Sequence, residues 1–282
     1  MTTLVFARLT IQEAASKKIL LAAFVLGLLF LIIFSLGVHF LLSDVETRMG
    51  DRNPYQLNEI RNFLMMAGLY VVYFLSSIMI VLTSVDTISG EINSGTIQTT
   101  ASKPLPRWEV VIGKWLGFMV MLTLYLLLMG GGVLGWVYLR TGYLPPNPAA
   151  GMLLIWLNAL VLLSVSLLGG TRLSTLANGV LVFSLFAVAF IGGWIEQIGS
   201  YLPDSSAIQT AKNIGVVTSL VLPSEALWKR AVHELQSPLV AAIGFSPFSA
   251  RFYPSNAMIV YAILFIIVVV SLAVYSFKKR DL

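Results

Sequence analysis

The hydrophobic positions of this chain fall into six long blocks that are separated by shorter polar connections. Each block has about the 20 apolar residues that a helix needs to cross a hydrocarbon core roughly 30 Å thick. The pattern therefore predicts six transmembrane helices, at residues 19–42, 63–85, 110–139, 149–168, 176–195 and 257–277.

The composition supports a membrane protein and excludes several other classes. Of the 282 residues, 57% are hydrophobic and 11% are charged, and the mean hydropathy is +0.87. Soluble domains carry about 25% charged residues, so we expect an all-α integral membrane protein. The absence of cysteine excludes disulfides and thiolate metal sites, and two histidines, His39 and His233, are too few for a histidine-built metal centre. The net charge of +5 does not indicate nucleic-acid binding.

The distribution of Lys and Arg predicts the orientation of the six helices. An even number of spans places both termini on one side, and an excess of basic residues near span ends marks the cytoplasmic side. The side that holds the termini carries Arg8, Lys17, Lys18, Lys103, Arg107, Lys114, Arg172, Lys278, Lys279 and Arg280. The opposite side carries Arg48, Arg52, Arg61 and Arg140, plus Lys212, Lys229, Arg230 and Arg251 in one long connection, which counts for less. Both termini and the connection at residues 86–109 are therefore predicted to be cytoplasmic.

Residues 1–18 are too polar to cross a membrane, but they can form a helix with one apolar face. That face would consist of Leu4, Ala7, Ile11, Ala14 and Ala15. The pattern is typical of an interfacial helix that lies along the inner leaflet; the alternative is a cytoplasmic extension of the first span. No small-residue cleavage site follows the first span, so we expect that span to be retained.

The connection between the fifth and sixth spans, residues 196–256, is predicted to be extracytoplasmic. Residues 206–222 are moderately apolar but contain Lys212 and Asn213, which favours a helix that dips into the outer leaflet rather than a seventh span. The next segment, residues 224–236, has apolar residues at every fourth position and polar residues opposite them, which predicts an amphipathic surface helix. The apolar positions are Leu227, Ala231 and Leu235, and the polar ones are Lys229, Arg230, His233 and Glu234.

Glycines in the third span could mark a helix-packing site. Gly131 and Gly135 have the Gly-x-x-x-Gly spacing that lets another helix approach closely. A flexible or kinked point without a specific partner explains the same residues.

The chain lacks the motifs of an enzyme or of a self-powered pump. It has no His-Glu-x-x-His and no Gly-x-Ser-x-Gly. The one candidate for a nucleotide-binding loop, Gly113-Lys114, is followed by Trp115, and Trp108 stands where the first glycine is required. Ionisable residues cluster at the span ends rather than at mid-bilayer, where an ion-coupled carrier usually places them. A partner protein would therefore have to supply the energy for any active transport.

The connection at residues 86–109 has the properties of a contact for such a partner. Ser94 or Thr96 can cap a short helix through the sequence IQTTA, and Pro104 and Pro106 would end it. A short rigid helix between two spans can transmit movement better than a loop of random polar residues. The alternative is a solvated loop with interfacial anchors.

The sequence GEINSGTIQTTASKPLPRWEVVIGKWLG, residues 90–117, resembles the cytoplasmic-loop signature of ABC type-2 exporter permeases. STLANG at the start of the fifth span, GGWIEQIG at its outer end and LPSEALW in the long connection are also similar to this family. Within it, the chain most resembles the permeases grouped with the membrane subunit of the nitrous oxide reductase (copper-enzyme) maturation transporter.

The resemblance implies an assembly of two copies of the chain with two separately encoded ATPase subunits in a prokaryotic cytoplasmic membrane. ATP and Mg would be bound by the ATPase, and this chain would hold no cofactor. The resemblance also implies two sets of functional residues. ATPase coupling would use Glu91, Gly95, Thr96, Pro104, Arg107 and Lys114, and an extracytoplasmic gate or partner-docking surface would use Trp194, Glu196, Leu227 and Trp228.

Two other functions remain open at this point. The same architecture could pass ATPase-driven motion to an extracytoplasmic accessory protein without moving a solute. An autonomous channel or carrier would need no ATPase. The sequence does not identify a transported substrate.

Overall fold

The computed structural model describes residues 2–49, 54–93, 106–237 and 253–280, and all of the regular structure in these segments is helical. The ten helices, numbered here in chain order, are Thr2–Ser16 (α1), Lys18–Met49 (α2), Pro54–Ser84 (α3), Asp86–Asn93 (α4), Arg107–Thr141 (α5), Pro148–Gly170 (α6), Thr175–Gly199 (α7), Ser205–Val221 (α8), Ser224–Leu235 (α9) and Asn256–Lys278 (α10).

Six of these helices, α2, α3, α5, α6, α7 and α10, are long and apolar enough to cross a membrane. This finding confirms the predicted all-helical membrane fold with six candidate spans. The helix α6 lies at the centre of the bundle, because 72% of its most apolar stretch is buried, compared with 11% for α2. The exposed apolar side chains of α2 therefore provide a large part of the surface that faces lipid.

Polar contacts bring both ends of the chain to one end of the bundle, which we call the terminal face. Lys17 is paired with Asp86 at the start of α4. Arg107, at the start of α5, donates hydrogen bonds to carbonyl groups at the end of the last span. The opposite end, which holds the connection from α5 to α6 and the connection from α7 to α8, we call the distal end.

The first helix, α1, lies across the beginning of α5, where two glycines let the two backbones approach closely. A Cβ atom built on Gly117 would lie 2.8 Å from the carbonyl oxygen of Ala7 and 2.9 Å from Cβ of Thr10. A Cβ atom on Gly113 would lie 2.8 Å from the carbonyl oxygen of Thr3. The Gly-x-x-x-Gly contact within this chain is thus at residues 113 and 117. The predicted pair, Gly131 and Gly135, meets no described atom within 4 Å.

We expect Gly117→Ala to destabilise the protein by about 1–3 kcal/mol, because the added methyl group overlaps backbone atoms that cannot move aside without displacing α1. Gly131→Ala is the matched control, since it makes the same change in the same helix where nothing lies within 4 Å. Thermal unfolding in detergent measures both. Equal midpoints for the two variants would contradict the close packing of α1 on α5.

Between the fifth and sixth spans, α8 and α9 form a hairpin that packs against the distal halves of the spans. The helix α8 runs antiparallel to α7, with Ala211 against Gly199 near the distal end and Thr218 against Gly192 deeper in the bundle. The helix α9 then returns to the distal end, where the backbone N–H of Asn147 donates to the carbonyl of Glu234.

The helix predicted for residues 224–236 is present, but its predicted position on the surface is wrong. Leu227, Ala231 and Leu235 are buried as an apolar face should be, yet Glu225 and Lys229 are buried as well. Both faces of α9 therefore contact other helices.

Candidate functional site

The short helix α4 continues almost directly from α3 at the terminal face. Asp86 lies in its first turn, where a negative charge interacts favourably with the helix dipole. Thr87, Ile88 and Ser89 are buried against the bundle. The helix is therefore packed against the spans along one side rather than suspended in a loop.

An ion pair joins α4 to the third span. The Nζ atom of Lys114, on α5, lies 2.6 Å from Oε1 of Glu91 and also donates to the carbonyl of Thr87 at 3.3 Å. The Lys114 side chain is only 5% exposed and that of Glu91 is 26% exposed. The lysine is almost completely removed from water and is held by these two acceptors, so the contact fixes the end of α4 to α5.

Further contacts join α4 to α1 and to the fifth span. Lys17, just after α1, lies 3.4 Å from Oδ2 of Asp86. Thr175, at the start of α7, donates to Oδ1 of Asp86 at 3.0 Å and lies 2.9 Å from the hydroxyl of Ser89. Asn178 donates to the carbonyls of Val85 and Ser166. A displacement of α4 would therefore act on α1, α5 and α7 together.

Arg107 has a separate role at the same face. Its guanidinium donates to the carbonyls of Lys278 and Arg280, at 3.2 and 2.7 Å. The last carbonyls of a helix have no partner within the helix, so a cation there satisfies them and complements the helix dipole. Arg280 in turn donates to the carbonyl of Thr171, which ties the connection from α6 to α7 to the end of the chain.

Of the six predicted coupling residues, the structure brings Glu91 and Lys114 into contact. Arg107 lies at the same face but bonds to the end of the last span instead. Gly95, Thr96 and Pro104, together with the short helix predicted through IQTTA, lie outside the described residues. Sequence reasoning did not identify Asn178 as a contact of this site. Asn178 could have been noticed as an amide side chain within an apolar span, since such side chains often form hydrogen bonds between helices.

A second charged cluster lies between α7 and α9. The Nζ atom of Lys229 is 2.5 Å from Oε2 of Glu196 and donates to the carbonyl of Gly193 at 3.1 Å. The Lys229 side chain is 7% exposed, and that of Glu196 is 12% exposed. A Cβ atom on Gly193 would overlap Glu225, so the glycine is required for α9 to approach α7.

Glu225 is the third member of this cluster. Its carboxylate accepts a hydrogen bond of 3.5 Å from the hydroxyl of Tyr73, on α3. Burial raises the pKa of Glu225 from 4.5 to about 7, while Lys229 and the Tyr73 hydrogen bond act to lower this pKa and Glu196 acts to raise it. The carboxyl group is therefore close to its titration point near neutral pH.

The stability of the protein is expected to depend on pH through Glu225. Since its pKa is higher in the folded state, the group stabilises the fold fully below pH 4.5, and this contribution is lost as the pH rises through about 7. The change is on the order of 3 kcal/mol. The difference in thermal midpoint between the unchanged protein and Glu225→Gln, measured from pH 5 to pH 8, should isolate the pH-dependent contribution of Glu225 to stability. A difference that does not vary with pH would contradict the assignment.

The predicted distal residues surround this charged cluster. The Trp228 ring packs on Tyr73 and Tyr70, with centroid distances of 4.9 and 5.1 Å. Leu227 and Trp228 are 1% and 3% exposed. Trp194 contacts Phe190 and is half-buried. Glu196 is thus paired directly with Lys229, Leu227 and Trp228 are buried residues of α9, and Trp194 packs on Phe190 of its own helix, α7.

The described residues hold no group of three or more His, Asp or Glu side chains arranged to bind a metal ion. Each of the two clusters attaches one helix to another. The Glu91–Lys114 pair joins α4 to a span at the terminal face, and the Glu196–Lys229 pair joins the distal hairpin to the fifth span.

A family described as "ABC-2 family transporter protein" has a model that matches residues 7–282, which is nearly the whole chain. No curated protein matches the chain.

Proposed function

Because this chain belongs to the family of ABC-2 transporter proteins, we propose that it is the permease subunit of an ATP-binding cassette exporter driven by a separately encoded ATPase. Six candidate spans make it a multi-pass membrane protein. The proposal adds a second copy of the chain, two ATPase subunits that bind the ATP and Mg, and a prokaryotic cytoplasmic membrane with both termini in the cytoplasm. Membership of the nitrous oxide reductase maturation group remains part of the proposal.

The observation that best supports coupling to an ATPase is the buried Glu91–Lys114 pair. A segment that receives movement must be attached to the spans, because a freely moving loop would absorb the displacement. The helix α4 is attached to α5 by this pair, to α1 through Lys17 and to α7 through Thr175. We propose that the ATPase contacts the segment that follows α4, where Gly95, Thr96 and Pro104 lie, and moves α4 with it.

The distal cluster is proposed as the extracytoplasmic gate. Leu227 and Trp228 are buried between α9 and α3, so a gate supported by packing suits them better than docking of an accessory protein. Glu196 and Lys229 would hold the α8–α9 hairpin against α7 when the gate is closed. Opening of the gate would have to separate Glu196 from Lys229 or move α7 and α9 together.

Purification of the tagged chain from its native host in a mild detergent, with mass spectrometry of the co-purifying proteins, tests the proposal. We expect a nucleotide-binding ATPase in stoichiometric amount, and its loss when residues 91–107 are scrambled. Scrambling residues 142–146, in the connection at the distal end, is the matched control and should leave the ATPase bound.

Recovery of the folded chain without any ATPase would refute the proposal and favour an autonomous channel or carrier. If the ATPase is present, reconstitution in liposomes with ATP separates transport from transmission of motion to an external partner. No solute would cross the membrane in the second case.

A further inference from the structure

A cavity of about 540 Å³ lies near the distal end, between the α8–α9 hairpin and the start of α10. Its size is within the range of small-molecule sites, about 300–1,000 Å³. The proposed gate and coupling contacts do not require a cavity here. Its lining therefore indicates a further binding function.

The lining along α8 changes from charged to apolar with depth. Lys212, Val216 and Leu220 all line the cavity and are spaced four residues apart, so they follow one helix face over about 12 Å. Ala211, next to Lys212, packs against Gly199 at the distal end of α7, while Thr218, near Leu220, packs against the deeper Gly192. The lysine is thus at the level of the span end, and the apolar part reaches into the depth of the span.

The far wall of the cavity is formed by the last span. Met258 and Tyr261 of α10 line it, and the Tyr261 hydroxyl donates to the carbonyl of Leu220 at 2.5 Å. This bond joins the two walls at the deep end. On α8, Val217 and Val221 are 60% and 49% exposed, so the helix that bounds the cavity also presents an apolar surface at the depth of the hydrocarbon.

The charge of the lining favours a negatively charged ligand. Among the described residues that line the cavity, Lys212 and Lys229 are the cations and Glu196 is the acid. The lining therefore carries a net positive charge, and Lys212 lies at its distal end. An ammonium group at the membrane surface above an apolar slot is complementary to an anionic head group that carries a hydrocarbon chain.

We propose that this cavity binds an acyl chain of an anionic phospholipid from the distal leaflet, with Lys212 beside the lipid phosphate. The lipid is a resident ligand that fills the space between the hairpin and the last span. It would stabilise the hairpin against α10 in the state that the structure describes.

Native mass spectrometry of the delipidated full-length chain tests the proposal, with phosphatidylglycerol and phosphatidylcholine of identical acyl chains as the probes. We expect one phosphatidylglycerol to be retained about fivefold more strongly than phosphatidylcholine, and Lys212→Gln to remove this preference. Lys279→Gln changes the net charge equally at the opposite end of the chain and should leave the preference intact. Equal retention of the two lipids by the unchanged protein would overturn the role of Lys212.

A pair of variants on α8 tests the acyl-chain slot. Val216→Trp would fill the cavity and should abolish retention, while Val217→Trp, one residue along on the exposed face outside the lining, should not. Equal loss in both variants would indicate lipid bound around the whole helix and would overturn the site. Competition by glycerol 3-phosphate as strong as that by the intact lipid would overturn the acyl-chain part, since it would show that an anion alone suffices.

Discussion

Replacing Lys229 with methionine is expected to lower the free energy of unfolding by about 3–5 kcal/mol. The Lys229 ammonium lies 2.5 Å from the Glu196 carboxylate, and both side chains are almost fully buried. Methionine has nearly the same length but no charge, so Glu196 would remain buried without its cation. The effect on Glu225 would add to this loss, because Lys229 also acts to lower the pKa of that carboxyl group.

Two further variants separate the buried charge from a general loss of packing. Glu196→Gln combined with Lys229→Met removes both charges of the pair and should regain most of the lost stability at pH 5, where Glu225 is protonated and no buried ion is left unpaired. Lys18→Met makes the same side-chain change at an exposed position at the start of α2 and should alter stability by less than about 0.5 kcal/mol.

Unfolding in detergent at pH 8 and pH 5 measures all of these variants. The loss in Lys229→Met should be smaller at pH 5, since Glu225, with a pKa of about 7, is then protonated and the lysine is no longer needed to compensate its charge. A double variant as unstable as the single one would show that the ion pair is not the cause.

The spans could be predicted from the sequence because the property that defines them is local. A run of about 20 apolar residues is sufficient for a helix in a bilayer, whatever its neighbours are. The prediction began the second span at residue 63, but α3 begins at Pro54. The extra turns are polar and are held by distant partners: Asn62 donates to the carbonyl of Leu235, and Glu59 accepts from the hydroxyl of Ser237. Because these partners are far apart in the chain, a prediction from neighbouring residues cannot detect the contacts.

Contacts between distant residues also explain why the sequence predicts α9 on the surface. Its alternating faces are typical of a helix that has water on one side, but Lys229 is compensated by Glu196, 33 positions earlier in the chain. A polar face looks the same in the sequence whether it meets water or a buried partner. At the proposed coupling site, the family resemblance indicated Glu91 and Lys114 separately, and only the fold shows that they pair across the connection from α4 to α5.

Glu91→Gln is expected to lower the equilibrium constant for the ATP-driven movement of the permease about tenfold, which corresponds to about 1.4 kcal/mol of lost coupling. The substitution keeps the size of the side chain but removes the charge that holds Lys114 at 2.6 Å. The ATPase could then displace α4 without moving α5 to the same extent. Because the chain has no cysteine, spin labels can be placed at Leu139→Cys and Ile198→Cys, two exposed positions near the distal ends of α5 and α7. The change in the distance between the labels on ATP binding to the assembled complex measures the movement.

Two controls distinguish lost coupling from lost stability. Glu91→Gln combined with Lys114→Met removes both charges, so it should regain stability, but the movement should stay small because α4 is still not attached to α5 by an ion pair. Glu13→Gln breaks the exposed pair with Lys17, whose side chains are 41% and 27% exposed, and should leave the movement unchanged. If the double variant regains full movement, the pair supports only the fold, and the transmission of force from the ATPase must then depend on the contacts of α4 with α1 and α7.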